Sequence, residues 1–183
     1  GEDDIVELAN GCICCTVADD FLPAMQALLE RDDPPEHIIV ETSGLALPKP
    51  LVRAFGWPEV RTRVTVDGVV TVVDCHAVAA GRFADDMDAL EDQRQADDAL
   101  DHDAPLAELF ADQLACADMV ILNKTDLVAD DALRAVQDEV AAAVRGGAVK
   151  VVPAAGAAVP AQVVFGIGAA AEDDLDARPS HHD

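Results

Sequence analysis

The 183-residue chain predicts an α/β domain, with a mostly parallel sheet flanked by helices. Three observations carry that expectation. Short apolar runs recur along the sequence: Ile38–Val40, Val69–Val73, Met119–Leu122 and the stretch "AVKVVPA". None alternates with polar residues, which is the pattern of strands buried on both faces of a parallel sheet. Between the later runs lie stretches with helical spacing, roughly Ala84–Leu100, Pro105–Ala117 and Asp131–Arg145, and strand–helix alternation is the signature of parallel α/β architecture. Finally, the runs end on polar residues, Glu41, Asp74 and Asn123. In open α/β sheets, ligands bind at the carboxyl ends of the strands.

In chain order, "DIVEL" (Asp4–Leu8) is a short strand candidate leading into an Asn10–Gly11 turn. A helix follows from about Asp19, where Phe21, Leu22, Met25, Leu28 and Leu29 recur at helical spacing. Pro23 then falls in the first turn, where a missing N–H costs little. An earlier start capped by Thr16, with Asp19 three residues on, resembles a capping box but pushes Pro23 deeper. The "DDPPE" segment ends this helix, and the first apolar run begins after it. From Gly156 the sequence turns Ala/Gly-rich and then acidic, so the chain divides into a domain over 1–155 and, over 156–183, its edge and the start of a His-containing linker. There is no internal repeat. No apolar run reaches the eighteen residues of a spanning helix, and no segment reads as a secretory signal.

Composition narrows the function. Asp and Glu total 36 against 12 Lys and Arg, a formal net charge of −24. Phosphate-backbone binding and anionic membranes both require basic patches, so neither nucleic acid nor membrane is an expected partner. A single nucleotide is compatible, because backbone N–H groups bind phosphate irrespective of net charge. Five cysteines, odd in number and unevenly placed, do not form a disulfide framework. They fit a reduced, cytoplasmic protein with a metal or redox site.

Three motifs carry chemistry. In "NKTD" the Asp126 carboxylate can accept hydrogen bonds from the N1–H and N2–H₂ edge of guanine, a donor pair that adenine lacks. Lys124 can lay its aliphatic stem along the base, and Asn123 can bridge the base or adjoining loops. In "VETSG" Glu41 stands at a strand end, where a carboxylate can hold Mg²⁺ through water or polarise an attacking water. The Gly44 N–H can approach a γ-phosphate because no side chain intervenes. Asp74, at the next strand end, could do similar work. In "NGCICCTV" Cys12, Cys14 and Cys15 crowd into four positions. Thiolates are soft donors suited to Zn²⁺ and, by geometry, to Co²⁺ or Cu⁺. Two or three of them leave a tetrahedral site incomplete, which suits transfer of an ion better than its retention. A redox role is the competing reading, without the usual C-x-x-C context. His181 and His182 mark the possible start of a metal-gathering tract.

Taken together, "ELANGCICCTV", "IIVETSGLALPKP" and "NKTDL" resemble the CobW/HypB/UreG family of P-loop GTPases, and the C-x-C-C signature resembles its CobW-like metallochaperone branch. The resemblance implies a P-loop NTPase-like fold and a GTPase that binds GTP, Mg²⁺ and a transition metal together. GTP binding would assemble the metal site, and hydrolysis to GDP and phosphate would release the ion to a client metalloenzyme. For the cobalamin-biosynthesis members it implies Co²⁺ as the ion and cobaltochelatase as the client, with Zn²⁺ delivery or metal sequestration as the alternative. By matching position, Cys12, Cys14 and Cys15 are the metal motif, Glu41 and Gly44 the E-x-x-G motif with Glu41 catalytic, and Asn123, Lys124 and Asp126 the guanine motif. The family's G-x-x-x-x-G-K-[ST] phosphate loop does not occur in this sequence. Residues 1–155 are therefore expected to be the central and C-terminal part of a GTPase domain, and this stretch alone is expected to hydrolyse GTP negligibly.

Overall fold

The structure is a computed structural model that describes residues 5–6, 21–96, 105–146 and 149–180. Its centre is a three-stranded parallel sheet of β1 (Val70–Asp74), β2 (Met119–Asn123) and β3 (Lys150–Pro153), in the order β1-β2-β3. The register pairs Val70 with Met119 and Asp74 with Asn123, and Met119 in turn with Lys150. The polar carboxyl ends of β1 and β2 therefore lie side by side. Of the expected strands, the second, third and fourth runs form, but only β2 has the double cover that the apolar pattern implied, buried along Met119–Leu122; β1 exposes Val72 and β3 exposes Val151 at the edges of the described sheet.

Helices α5 (Leu106–Cys116) and α6 (Asp130–Ala143) match two of the expected stretches to within two residues. They cover one face of the sheet. Leu114, Val136 and Val140 pack there against Val73, Val120 and Leu122. Asp130 and Asp131 stand in the first turn of α6, where negative charge complements the helix dipole. The opposite face, Met119 and Ile121 with Val152, is covered by Val159, Val163, Val164 and Ile167 around the short α7 (Ala161–Val164). Val72 on β1 lies beyond that cover and is 61% exposed.

A second cluster joins α1 (Leu22–Leu29) to α2 (Pro48–Phe55). Phe21 and Met25 bury there, as the helical spacing required, and Phe21 meets Phe55 edge-on with ring centroids 4.9 Å apart. Pro23 falls in the first turn of α1 as described, and both expected starts, Thr16 and about Asp19, lie outside the described residues. The stretch expected as a helix from Ala84 begins at Met87, as α4 (Met87–Ala96). Asp74 caps the short α3 (Cys75–Ala79), its Oδ1 accepting from the Ala77 N–H at 3.1 Å.

One expected strand is corrected. Ile38–Val40 forms no strand and pairs with no described strand, and Ile39 and Val40 are exposed. An apolar run becomes a strand only where a neighbour completes its hydrogen-bond ladder, and no described segment lies in register beside it. In the first strand candidate, Ile5 and Val6 are exposed and unpaired, and the remaining residues of Asp4–Leu8 lie outside the described residues.

Residues 156–180 are held to the domain by acids on both sides of a seam. The Asp67 carboxylate accepts from the N–H groups of Gly166, Ile167 and Gly168 at 2.7–3.1 Å. Gly166 and Gly168 have positive φ, which lets three successive N–H groups converge on one carboxylate. Glu172 reciprocates, accepting from Thr65 Oγ1 and the Val66 N–H. The Gly168 N–H chief among these donors holds the Asp67 carboxyl below its usual range. A depressed carboxyl contributes stability that is present above its unfolded pKa near 3.8 and is lost as the pH falls through its folded value. Asp67→Ala is expected to cost about 2 kcal/mol by leaving three N–H groups without their acceptor. Urea denaturation at pH 7 and below pH 4 checks this: the difference between variant and parent should shrink in acid.

Candidate functional site

The "NKTD" residues leave the carboxyl end of β2 in a tight turn. Lys124 takes the left-handed conformation, φ 59° and ψ 31°, unusual for a residue with a Cβ. Such strain persists only where surrounding contacts fix it, and they do so from three sides. Asn123 Oδ1 accepts from the Ala157 N–H at 2.9 Å. Thr125 donates through both its N–H and its Oγ1 to the Ala154 carbonyl. Lys124 Nζ donates to Asp74 Oδ2 at 2.6 Å and to Asp85 Oδ2. Asp126 sits in the following 3-10 turn, Thr125–Leu127, exposed, and no described residue hydrogen-bonds its carboxylate. Its acceptor lone pairs are thus available to a ligand at the mouth of the sheet, while its neighbours in the motif are occupied in holding the loop.

The "ETSG" turn is placed by helices. Ser43 Oγ accepts from the Leu45 N–H and from Gln93 Nε2 of α4, both at 3.2 Å. The Gly44 carbonyl accepts from Gln113 Nε2 of α5 at 2.9 Å, and the same amide reaches the Ala46 carbonyl. Glu41 and Gly44 are both exposed. Glu41 bonds to no described residue, so its carboxylate is open to a hydrated cation, a fit for Mg²⁺ held through water. A Cβ at Gly44 would meet nothing within 4 Å, so the close-approach argument for this glycine concerns a ligand and not the protein's own packing. No described hydrogen bond joins Glu41 or Gly44 directly to the "NKTD" turn.

Cys12, Cys14 and Cys15, and with them His181 and His182, lie outside the described residues. Among the described residues no group of three or more His, Cys, Asp or Glu side chains is arranged to hold a metal ion. Cys75 and Cys116 are buried. Burial, and for Cys75 also the neighbouring Asp74, pushes both thiols up, away from the thiolate form that ligates metal. No described helix is long and apolar enough to cross a membrane.

Two groups at the site escaped the sequence reading. Residues Ala154–Ala157, after β3, form the far wall of the "NKTD" turn, although the sequence pattern marked this stretch only as the domain's last residues and edge. Their signal is position alone: they follow a strand parallel to β2. Asp85, in the loop between α3 and α4, is one acid among many, and nothing local distinguishes it.

The chain belongs to the CobW/HypB/UreG family. Residues 1–152 match that family's nucleotide-binding domain. The chain is 57% identical over 182 residues to the zinc chaperone CobW of Sinorhizobium sp, all of this chain and 51% of that protein. It is 52% identical to the zinc chaperone CobW of Pseudomonas aeruginosa, covering 98% of this chain and 48% of the relative. Zinc-regulated GTPase metalloprotein activator 1 of Schizosaccharomyces pombe is 32% identical over 74% of the chain and 28% of its own length. The chain thus spans about half the length of the two bacterial relatives. No solved structure matches it. Family membership accounts for the parallel sheet and its flanking helices, the arrangement of a P-loop NTPase-like domain.

Proposed function

We propose that this chain is the central part of a GTP-dependent metallochaperone, in which guanine nucleotide controls the capture and release of a metal ion. The observation that carries the reading is the exposed, unbonded Asp126 carboxylate on a braced left-handed turn at the end of β2. Asn123, Lys124 and Asp126 form the guanine site. Glu41 is the residue that holds Mg²⁺ through water or orients the attacking water, and the Gly44 N–H contacts the γ-phosphate. Cys12, Cys14 and Cys15 carry the cargo ion.

The Sinorhizobium and Pseudomonas relatives, matched over 100% and 98% of the chain, are named zinc chaperones, which favours Zn²⁺ as that cargo. Co²⁺ delivered to a cobaltochelatase is the competing reading, since the same thiolates accept both ions. The client is a metalloenzyme, in line with the "metalloprotein activator" name of the fungal relative. Residues 1–155 belong to the GTPase domain and 156–183 to its edge and linker, the whole acting in the cytoplasm. GTP turnover requires a phosphate loop that this sequence does not contain.

Metal titration of the full-length gene product with Mg·GTP, with Mg·GDP and without nucleotide tests the coupling. Affinity should be at least about tenfold higher with Mg·GTP, a coupling within the usual 1–3 kcal/mol range. Equal affinities in the three states would exclude a nucleotide-gated carrier. Running Zn²⁺ and Co²⁺ in competition decides between the two ions.

A further inference from the structure

The Lys124 ammonium is held by acids from two separate elements. Asp74, opposite Asn123 in the β1–β2 register, uses Oδ1 to cap α3 and Oδ2 to accept from Lys124 Nζ at 2.6 Å. Asp85 accepts from the same ammonium through Oδ2, while its Oδ1 faces His76 Nδ1 at 2.9 Å. Arg82 braces the loop, its Nη1 donating to the Asp85 carbonyl at 2.6 Å. Both acids therefore spend one oxygen on the protein's own frame and the other on Lys124. These contacts tie the loop between α3 and α4 to the lysine at a half-exposed position.

We propose that Asp74 and Asp85 are positioning residues for the guanine base, fixing the Lys124 ammonium so that its aliphatic stem forms a preset wall of the base slot. The proposal rests on the guanine reading of "NKTD". An unrestrained lysine loses several rotamers when a ligand packs on its stem, whereas one tethered at its tip has lost them beforehand. The resulting gain in affinity is preorganisation, without any new contact to the ligand. The stem meets the face of the base and not its hydrogen-bonding edge, so the gain should not depend on the exocyclic 2-amino group, which Asp126 reads.

The test measures GDP and IDP affinity in the full-length gene product. Asp85 is half-exposed, so its variants keep the fold intact. Asp85→Asn should weaken both nucleotides by the same factor, about tenfold, with no change in thermal midpoint, and Asp85→Glu should recover most of the loss. On a Lys124→Met background, which keeps an apolar stem but has no ammonium, Asp85→Asn should have no further effect. Unchanged affinity in Asp85→Asn, a loss confined to GDP, or full additivity with Lys124→Met would each overturn the positioning role. Absence of guanine nucleotide binding by the unaltered protein would instead overturn the guanine reading, and this inference with it.

Discussion

Asp126→Asn is expected to exchange guanine for xanthine preference. On the guanine reading proposed above, the Asp126 carboxylate accepts from both N1–H and N2–H₂ of the base, and hydrogen bonds to a charged group contribute about 1.5–3 kcal/mol each. The amide keeps one acceptor oxygen and places an NH₂ group opposite the guanine amino group, donor against donor. GDP affinity should fall by about 100-fold or more, the equivalent of two such bonds at the lower figure. Xanthine carries a carbonyl where guanine has its amine, so the new amide donates where the old carboxylate accepted, and XDP should bind the variant better than it binds the parent. Competition between GDP and XDP in the full-length protein gives the ratio directly. A ratio that does not move would show that Asp126 does not read the base. The exposure of Asp126 makes the experiment clean, because no described residue depends on it for a hydrogen bond.

The difference between Asp126 and Asp85 explains how far the sequence could be read. Asp126 is legible because its chemistry is local: four consecutive residues follow an apolar run, and strand ends in parallel sheets are where ligands dock. The runs behind β1, β2 and β3 were legible as strands from their continuous apolar character, but the double cover that character implies is reached only by the central β2. Asp85 reaches Lys124 only because the chain folds back from α3, and its neighbours in sequence carry no trace of that. Asp67 is hidden likewise, its three N–H partners lying about a hundred residues on, around Gly166 and Gly168. Ile38–Val40 failed in the opposite sense. Its apolar run met the local requirement for a strand, but a strand is a property of a pair, and no described segment pairs with it. The short helices α2 and α3 went unforeseen because neither has a long amphipathic repeat. Each instead follows a cue that is weak in isolation, prolines in the first turn for α2 and an aspartate cap for α3.

Arg178→Met is expected to produce the largest loss of stability in the described part of the chain. Arg178 is fully buried. Its Nη2 and Nη1 reach the two oxygens of Asp118 at 2.9 and 3.1 Å, its Nε donates to Asp174 Oδ1, and its Nη1 donates to the Cys116 carbonyl. Burial alone disfavours its charge, but the hydrogen bonds it donates to Asp118 and Asp174 outweigh that and raise its pKa above the ordinary arginine value. Asp118 is itself nearly buried and also accepts from the Val69 N–H, so the cluster ties the amino ends of β1 and β2 to the segment that ends the described chain. Methionine fills most of the volume but leaves Asp118 dependent on Arg145 alone for counter-charge and strips the Cys116 carbonyl of its donor. Removing one member of a buried charge cluster costs about 3–5 kcal/mol, and the surviving Arg145 places the expectation near the lower figure. Denaturant unfolding should show that loss, and limited proteolysis should show earlier cleavage within 156–180. Guanine affinity should stay unchanged, because Asp118 lies at the other end of β2 from Asp126, with the five strand residues spanning about 16 Å between them. A stability loss below about 1 kcal/mol, the level of a solvent-screened pair, would mean that the cluster is not what fastens residues 156–180 to the sheet.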